Sequence, residues 1–137
     1  MYILCLKSSH AMGMGHLFRM MNLYQALIQK GDDVIIVLLG KHLPTENLLM
    51  NRSLSYEVIN DEVDGWETKL IETYHPAIWI NDRLDTDEKH AIRLKSKGIK
   101  LITFDDGGSG AKFADIHVAA LATVRGDNPE GERVLKG

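Results

Sequence analysis

The chain has 137 residues, of which 45% are hydrophobic and 26% charged, and its net charge is −3 at neutral pH. These values are typical of a folded globular domain and exclude collagen-like and intrinsically disordered classes. The small acidic excess disfavours nucleic acid as a partner, because nucleic-acid binders concentrate lysine and arginine on one face.

The length and the first residues bound the domain and its compartment. A chain of this size predicts one domain with a hydrophobic core. The stretch MYILCLKSS is too short for a signal peptide or a membrane span, so we expect no membrane span and a cytoplasmic protein. The single cysteine, Cys5, lies in that stretch and is predicted to be a buried hydrophobic residue in a reducing compartment.

The first half of the chain alternates strand and helix patterns. Residues 2–6 form an apolar run that is typical of a buried parallel strand. From His16 to Ile28 apolar residues recur every three or four positions, which predicts a helix that Gly31 ends. Residues 33–39 are rich in β-branched side chains and predict a second buried strand. Weaker patterns predict a short helix over 44–52 with Pro44 in its first turn, a strand near an edge over 54–60, and a helix over 65–74.

The second half continues the alternation. Residues 77–81 predict a fourth strand, with Asp82 at its carboxyl end. The helix predicted over 86–98 has Thr86 as N-cap, acidic residues in its first turn, basic residues in its last turn and Gly98 as its stop. The remaining strands are predicted at 100–104 and 116–121.

This order of elements predicts the fold class. Strands that alternate with helices at this spacing indicate an open, mostly parallel Rossmann-like α/β sheet with helices on both faces. Ligands of such sheets bind beyond the carboxyl ends of the strands. We expect a domain over 1–125 and a polar tail over 126–137.

The stretch GMGHLFR, from Gly13 to Arg19, follows the first predicted strand and opens the first helix. It is neither a dinucleotide fingerprint, because Phe18 stands where that motif needs glycine, nor a phosphate loop with Gly-Lys-Ser/Thr. A glycine loop at a helix start still presents unpaired N–H groups that favour an anion, and the helix dipole favours a neutral His16 able to accept a proton. The alternative is a tight turn in which Arg19 pairs with a structural acid.

Further polar residues follow the fourth and fifth predicted strands. Asp82, in the stretch NDRLD, is predicted either to bind sugar hydroxyls or to cap the next helix. Asp105 and Asp106 have the same two interpretations, and strand alternation predicts that at most one of them faces a site. Gly107 begins GGSG, predicted to be a flexible loop that either contacts a ligand through its backbone or only connects two elements.

The segments GMGHLFRMMNLYQAL, WINDRLDTDEKHAIRLKSKGIKLITFDD and ADIHVAAL together resemble the amino-terminal half of the spore-coat polysaccharide protein family, which includes the UDP-sugar hydrolase of pseudaminic acid synthesis. The resemblance implies the N-terminal domain of a GT-B-type enzyme that processes a nucleotide sugar as hydrolase or glycosyltransferase. It implies that His16 is the general base. Together with the residues at the strand ends, the expected substrate-binding residues are Gly13, Met14, Gly15, Arg19, Asp82, Asp105, Asp106 and Gly107.

The resemblance also sets expectations about partners. The ligand is expected to be a UDP- or CMP-linked sugar in surface polysaccharide or nonulosonic acid biosynthesis, with no cofactor and no metal. The chain stops where the family begins its interdomain connection, so we expect a missing C-terminal domain and little turnover by the isolated chain. The alternative is a non-catalytic sugar- or phosphate-binding or regulatory module that partners a cytidylyltransferase.

Overall fold

The computed structural model of the protein describes residues 1–7, 15–119 and 134–135. The chain forms two compact units, Met1–Pro76 and Ala77–Gly137. Every registered strand pair within either unit is parallel. This arrangement confirms the predicted α/β class with a parallel sheet.

The first unit alternates three strands with three helices, as predicted. Its strands are ordered β3-β2-β1, so β3 has β2 as its neighbour, in agreement with a strand near an edge. In the register, Tyr2 lies opposite Val34, and Ile36 lies opposite Tyr56. The elements are β1 Tyr2–Leu6, α1 Gly15–Gln29, β2 Val34–Leu39, α2 Leu43–Asn51, β3 Tyr56–Ile59 and α3 Glu67–Tyr74.

The core of the first unit follows from the hydrophobic pattern. All residues of β2 are buried, as expected of a parallel strand covered on both faces. Cys5 is a thiol buried in β1, as predicted. Helix α1 buries one stripe of large side chains, each worth about 1.5–3 kcal/mol when fully buried. That stripe is Leu17, Met20, Met21, Tyr24 and Leu27.

The helix ends also agree with the sequence pattern. Gly31 follows α1 with a φ of +88°, and Gly98 follows the helix Glu88–Ser96 with a φ of +74°, so both predicted stops are confirmed. None of the helices in the described ranges has the length and apolarity that a membrane crossing requires.

The second unit contains four parallel strands in the order β4-β5-β6-β7 within the described residues. Two of its elements were not predicted: a 3₁₀ helix and β7, a two-residue strand inside the segment 126–137 that the sequence pattern indicates as a polar tail. The elements are β4 Ile78–Asp82, α4 Glu88–Ser96, β5 Lys100–Phe104, the 3₁₀ helix Ala111–Phe113, β6 Ile116–Val118 and β7 Val134–Leu135.

The N-cap of α4 differs from the prediction. Asp87, not Thr86, caps the helix: its backbone is extended, and its Oδ2 accepts from the N–H of His90 at 3.0 Å. Thr86 makes other contacts instead: its N–H and hydroxyl donate to Asp106, twenty positions later, and its Oγ1 accepts from Asn81 Nδ2. The predicted acidic first turn and basic last turn of α4 are confirmed.

Two titratable groups of the second unit make its stability depend on pH. Burial of the His117 imidazole lowers its pKa, although the carboxylates of Asp106 and Asp105 oppose that shift. Burial of Asp115 would raise its pKa. The Lys95 ammonium, with Nζ 2.6 Å from Oδ1, and the Leu101 N–H, 2.7 Å from Oδ2, outweigh that effect and lower the pKa overall.

We predict two separate acid-sensitive windows. The unfolded chain protonates its histidines near pH 6.5, before folded His117 does, so stability falls as the pH drops through that value. Asp115 contributes stability that is lost only below about pH 4.

The His117→Asn substitution isolates the upper window. The asparagine oxygen replaces Nδ1, which lies 2.8 Å from Thr103 Oγ1, and it does not titrate. Urea midpoints measured from pH 4.5 to 8 should fall more steeply towards acid in the wild type than in the variant. Parallel curves would show that His117 does not carry this dependence.

Candidate functional site

The predicted site residues divide between the two units. Gly13 and Met14 lie outside the described residues. Gly15, His16 and Arg19 lie at the start of α1 in the first unit. Asp82, Asp105, Asp106 and Gly107 belong to the second unit, where they lie at or after the carboxyl ends of β4 and β5.

His16 and Arg19 contact each other at the start of α1. Arg19 Nη2 lies 3.4 Å from His16 Nδ1, as expected for residues three apart on a helix. Because a guanidinium only donates, Nδ1 is the acceptor, and a neutral His16 ring then carries its hydrogen on Nε2. The pair therefore presents N–H donors from both side chains.

The start of α1 is suited to an anion. Its first turn contains no acidic residue that would neutralise the positive end of the helix. Gly15 is exposed, and a Cβ added there would meet no atom within 4 Å, so a ligand has room to approach the backbone. These features, with the Arg19 guanidinium, favour a phosphate or carboxylate at this helix end.

In the second unit, Asp106 is saturated by hydrogen bonds from the protein. Its Oδ1 accepts from the N–H groups of Thr86 and Gly108, both at 2.9 Å. Its Oδ2 accepts from the Thr86 N–H at 3.1 Å and from the Thr86 hydroxyl. The side chain is buried, so this geometry supports a role in positioning two loops.

A directional network of side chains leads to that carboxylate. The indole Nε1 of Trp79 only donates, and it lies 2.8 Å from Asn81 Oδ1, which fixes the orientation of the amide. Asn81 Nδ2 therefore donates to Thr86 Oγ1 at 3.1 Å and to His90 Nε2 at 2.9 Å. Since Nε2 accepts, a neutral His90 carries its hydrogen on Nδ1. The Thr86 hydroxyl in turn donates to Asp106 Oδ2.

The loop after β5 packs tightly against the loop before α4, and we call residues 84–87 and 105–110 together the loop clasp. Gly107 N–H donates to Leu84 O at 3.0 Å, and Gly110 N–H donates to Thr86 O at 2.8 Å. A Cβ at Gly108 would lie 2.2 Å from Thr86 O, and one at Gly110 would lie 2.2 Å from Asp87 O. The prediction of a flexible loop is therefore wrong, because close backbone contacts hold this segment.

Asp82 and Asp105 are also buried. Asp105 lies beyond the last residue of β5, has a φ of +48°, and donates its N–H to Val118 O at 2.8 Å. The strand alternation used to separate Asp105 from Asp106 therefore does not apply, since neither residue is in the strand.

Arg83 lies beside the loop clasp. Its side chain is 6% exposed, whereas that of Asp85, which accepts from Nε at 3.1 Å, is 62% exposed. The guanidinium is thus covered by protein while its carboxylate partner faces solvent. Asp85 is therefore the solvent-facing charge of this pair.

The sequence analysis missed Asn81, Thr86 and His90 as network residues. The available signal was the spacing: Trp79 and Asn81 are two apart on a strand and share a face, and Thr86 and His90 are four apart at a helix start. Among the described residues, no group of three His, Cys, Asp or Glu side chains is placed to hold a metal ion.

Comparison with solved structures identifies the fold. MurG from Acinetobacter baumannii superposes with a TM-score of 0.66 over 87% of this chain at 13% sequence identity. The fold is that of the N-terminal half of a GT-B glycosyltransferase. The chain spans about two-fifths of the MurG chain, since the match covers 41% of it. No protein-family model matches, and no curated protein gives a significant match.

The geometry of the loop clasp predicts that alanine substitutions at two neighbouring glycines change the stability by different amounts. Gly108→Ala should lower the free energy of unfolding by about 1–3 kcal/mol or more, because the new methyl group overlaps rigid backbone at Thr86. Gly107→Ala should be within about 0.5 kcal/mol of wild type, since nothing lies within 4 Å of its added Cβ.

Urea unfolding of the two variants measures the difference. Equal stability of both variants would show that the Gly108 approach is not rigid. A larger loss for Gly107→Ala would contradict the clasp geometry.

Proposed function

We propose that the chain is the N-terminal domain of an enzyme that processes a nucleotide sugar, as a UDP-sugar hydrolase or glycosyltransferase. The observation that carries this proposal is the His16–Arg19 pair at an acid-free helix start, in a chain with the GT-B fold. The likeness to MurG supports the glycosyltransferase-like class. The stretch GMGHLFR and its family resemblance support the choice of His16.

In the proposed reaction, His16 is the general base. It takes a proton from water or from an acceptor hydroxyl, whose oxygen forms a bond to the anomeric carbon of the sugar. The bond from that carbon to the diphosphate oxygen breaks, and its electron pair leaves on UDP. The products at the site are a cationic imidazole and free UDP, a nucleoside diphosphate, so the charges and atoms balance.

The contact with Arg19 affects the ability of His16 to act as a base. A base needs a nitrogen lone pair directed at the substrate, and Nδ1 of His16 now accepts from Arg19. The distance of 3.4 Å is long for such a bond, so it yields readily to a better acceptor. A ligand phosphate or carboxylate that draws the guanidinium away would free Nδ1.

The substrate class and the pathway rest on the resemblance. A UDP- or CMP-linked sugar in surface polysaccharide or nonulosonic acid biosynthesis is proposed as the ligand, in the cytoplasm. We propose that Gly13, Met14 and Gly15 shape the loop. Substrate contacts by Asp82, Asp105 and Gly107 are part of the same proposal, while Asp106 positions the loops around them.

A second candidate is a binding or regulatory module that partners a cytidylyltransferase. The His16–Arg19 contact favours it, because both side chains then act as N–H donors to a sugar phosphate and no proton transfer is needed. The two candidates predict different behaviour for a glutamine at position 16, which can donate a hydrogen bond but cannot serve as a base.

We predict that His16→Gln lowers UDP release by the full-length protein about 10²- to 10⁴-fold while changing UDP-sugar affinity little. Arg19→Gln should weaken affinity. The matched control is His75→Gln, at an exposed histidine after α3. UDP release is measured by a coupled assay with UDP-N-acetylglucosamine, and binding is measured by calorimetry.

Unchanged UDP release in His16→Gln, with intact binding, would exclude the base and support the binding module. Absence of both release and binding for UDP- and CMP-sugars would exclude both candidates. Amide shifts at Gly15 to Arg19 on addition of UDP-N-acetylglucosamine locate the contact.

A further inference from the structure

A cleft of about 850 Å³ opens in the first unit, away from the site described above. It lies where Met1, Asp33 and Ser55 precede the parallel strands β1, β2 and β3, so it occupies the amino-terminal edge of this sheet. Tyr24 and Ile28 border it from the last turns of α1. The α-helix rise places Ile28 about 18 Å along the axis from His16.

Three tyrosines and a buried apolar floor form the cleft. Tyr24, Tyr56 and Tyr74 come from α1, β3 and α3, and all three line the cleft. Strand alternation separates Tyr56, whose hydroxyl donates to Glu46, from Glu57, which accepts from Tyr74. The floor is made of Val34, Ile35 and Leu54, which are all buried. Tyrosine side chains beside buried apolar residues suit a ligand with a compact apolar body.

The polar groups of the cleft carry negative charge. Asp33 and Glu57 supply two carboxylates, and the negative end of the α3 dipole reaches the cleft at Thr73 and Tyr74. Among the described residues that line the cleft there is no lysine, arginine or histidine, and their one cationic group is the amino terminus at Met1. The electrostatic balance therefore favours a cation.

Hydrogen bonds hold the tyrosines in place. The Tyr74 hydroxyl donates to the carboxylate of Glu57; this hydrogen bond, burial and the negative charge together raise the pKa of Tyr74 to about 12. The Tyr24 hydroxyl accepts from the N–H of Ser55 at 3.2 Å. The rings and the Glu57 carboxylate are thus arranged before any ligand arrives.

We propose that this cleft is a second ligand site, which binds a small organic ammonium ion beside the Tyr74 ring and the carboxylates of Glu57 and Asp33. The ammonium head is attracted by the ring and by the carboxylates, and the floor covers its methyl or methylene groups. This site is independent of the proposed nucleotide-sugar function.

The test uses choline and its uncharged isostere 3,3-dimethyl-1-butanol as probes of the 137-residue chain. Choline should bind at least about fivefold more tightly than the isostere, with amide shifts at Ser55, Tyr56, Glu57 and Tyr74. Glu57→Gln should weaken choline about fivefold and leave the isostere unchanged. Tyr74→Leu should weaken choline about threefold or more.

Glu62→Gln is the matched control, since Glu62 is exposed and outside the cleft. Equal affinity for the two probes, shifts confined to other residues, or no binding of choline by the wild type would each overturn the proposal. The wild-type ratio of the two probes decides the question even if a variant fails to fold. None of these results alters UDP-sugar binding at His16, so the two proposals fail separately.

Discussion

The Asp106 carboxylate is the constraint on which the geometry of the second unit depends. It sits between two loops and accepts from the backbone of both, at Thr86 and at Gly108. A buried carboxylate is costly unless donors surround it, and here both oxygens are satisfied. The close approach of Gly108 and Gly110 to the β4–α4 loop follows from that attachment.

The hydrogen-bond network extends the same constraint into the sheet. Trp79 and Asn81 are in β4, and the donor-only indole orders every later bond up to Thr86 and Asp106. Such a network has one arrangement of hydrogens, so it holds the carboxyl end of β4 in one conformation. Asp106, one of the acids that the sequence suggested as a ligand-binding residue, thus already accepts hydrogen bonds from the protein at both oxygens.

The first unit offers the opposite situation at the start of α1. Arg19 Nη2 lies 3.4 Å from His16 Nδ1, the first turn of α1 contains no acidic residue, and a Cβ added at Gly15 would meet no described atom within 4 Å. The Asp106 carboxylate is occupied by protein donors, whereas the helix start at Gly15 has room for a ligand beside His16. Under the proposed function, the loose His16–Arg19 pair is what a sugar phosphate would meet.

Local patterns in the sequence were sufficient for the elements but not for the contacts between distant segments. The strand at 2–6 and the helix stripe from Leu17 to Leu27 depend on side-chain periodicity, which is a local property. The N-cap of α4 was wrongly assigned to Thr86. Thr86 is bound by Asp106, and a local pattern cannot reveal a contact between residues twenty positions apart. The tyrosine cleft was missed for the same reason, as only the folded chain brings α1, β3 and α3 together.

Asp106 is held by protein donors and thereby orders both loops. Comparing Asp106→Asn with Asp87→Asn tests it most directly, since the chemical change is identical and asparagine remains a good N-cap at position 87. We expect Asp106→Asn to lose about 2–4 kcal/mol in urea unfolding and to expose the amides of Thr86 and Gly108 to hydrogen exchange, while Asp87→Asn stays near wild type. Full stability and full amide protection in Asp106→Asn would contradict it.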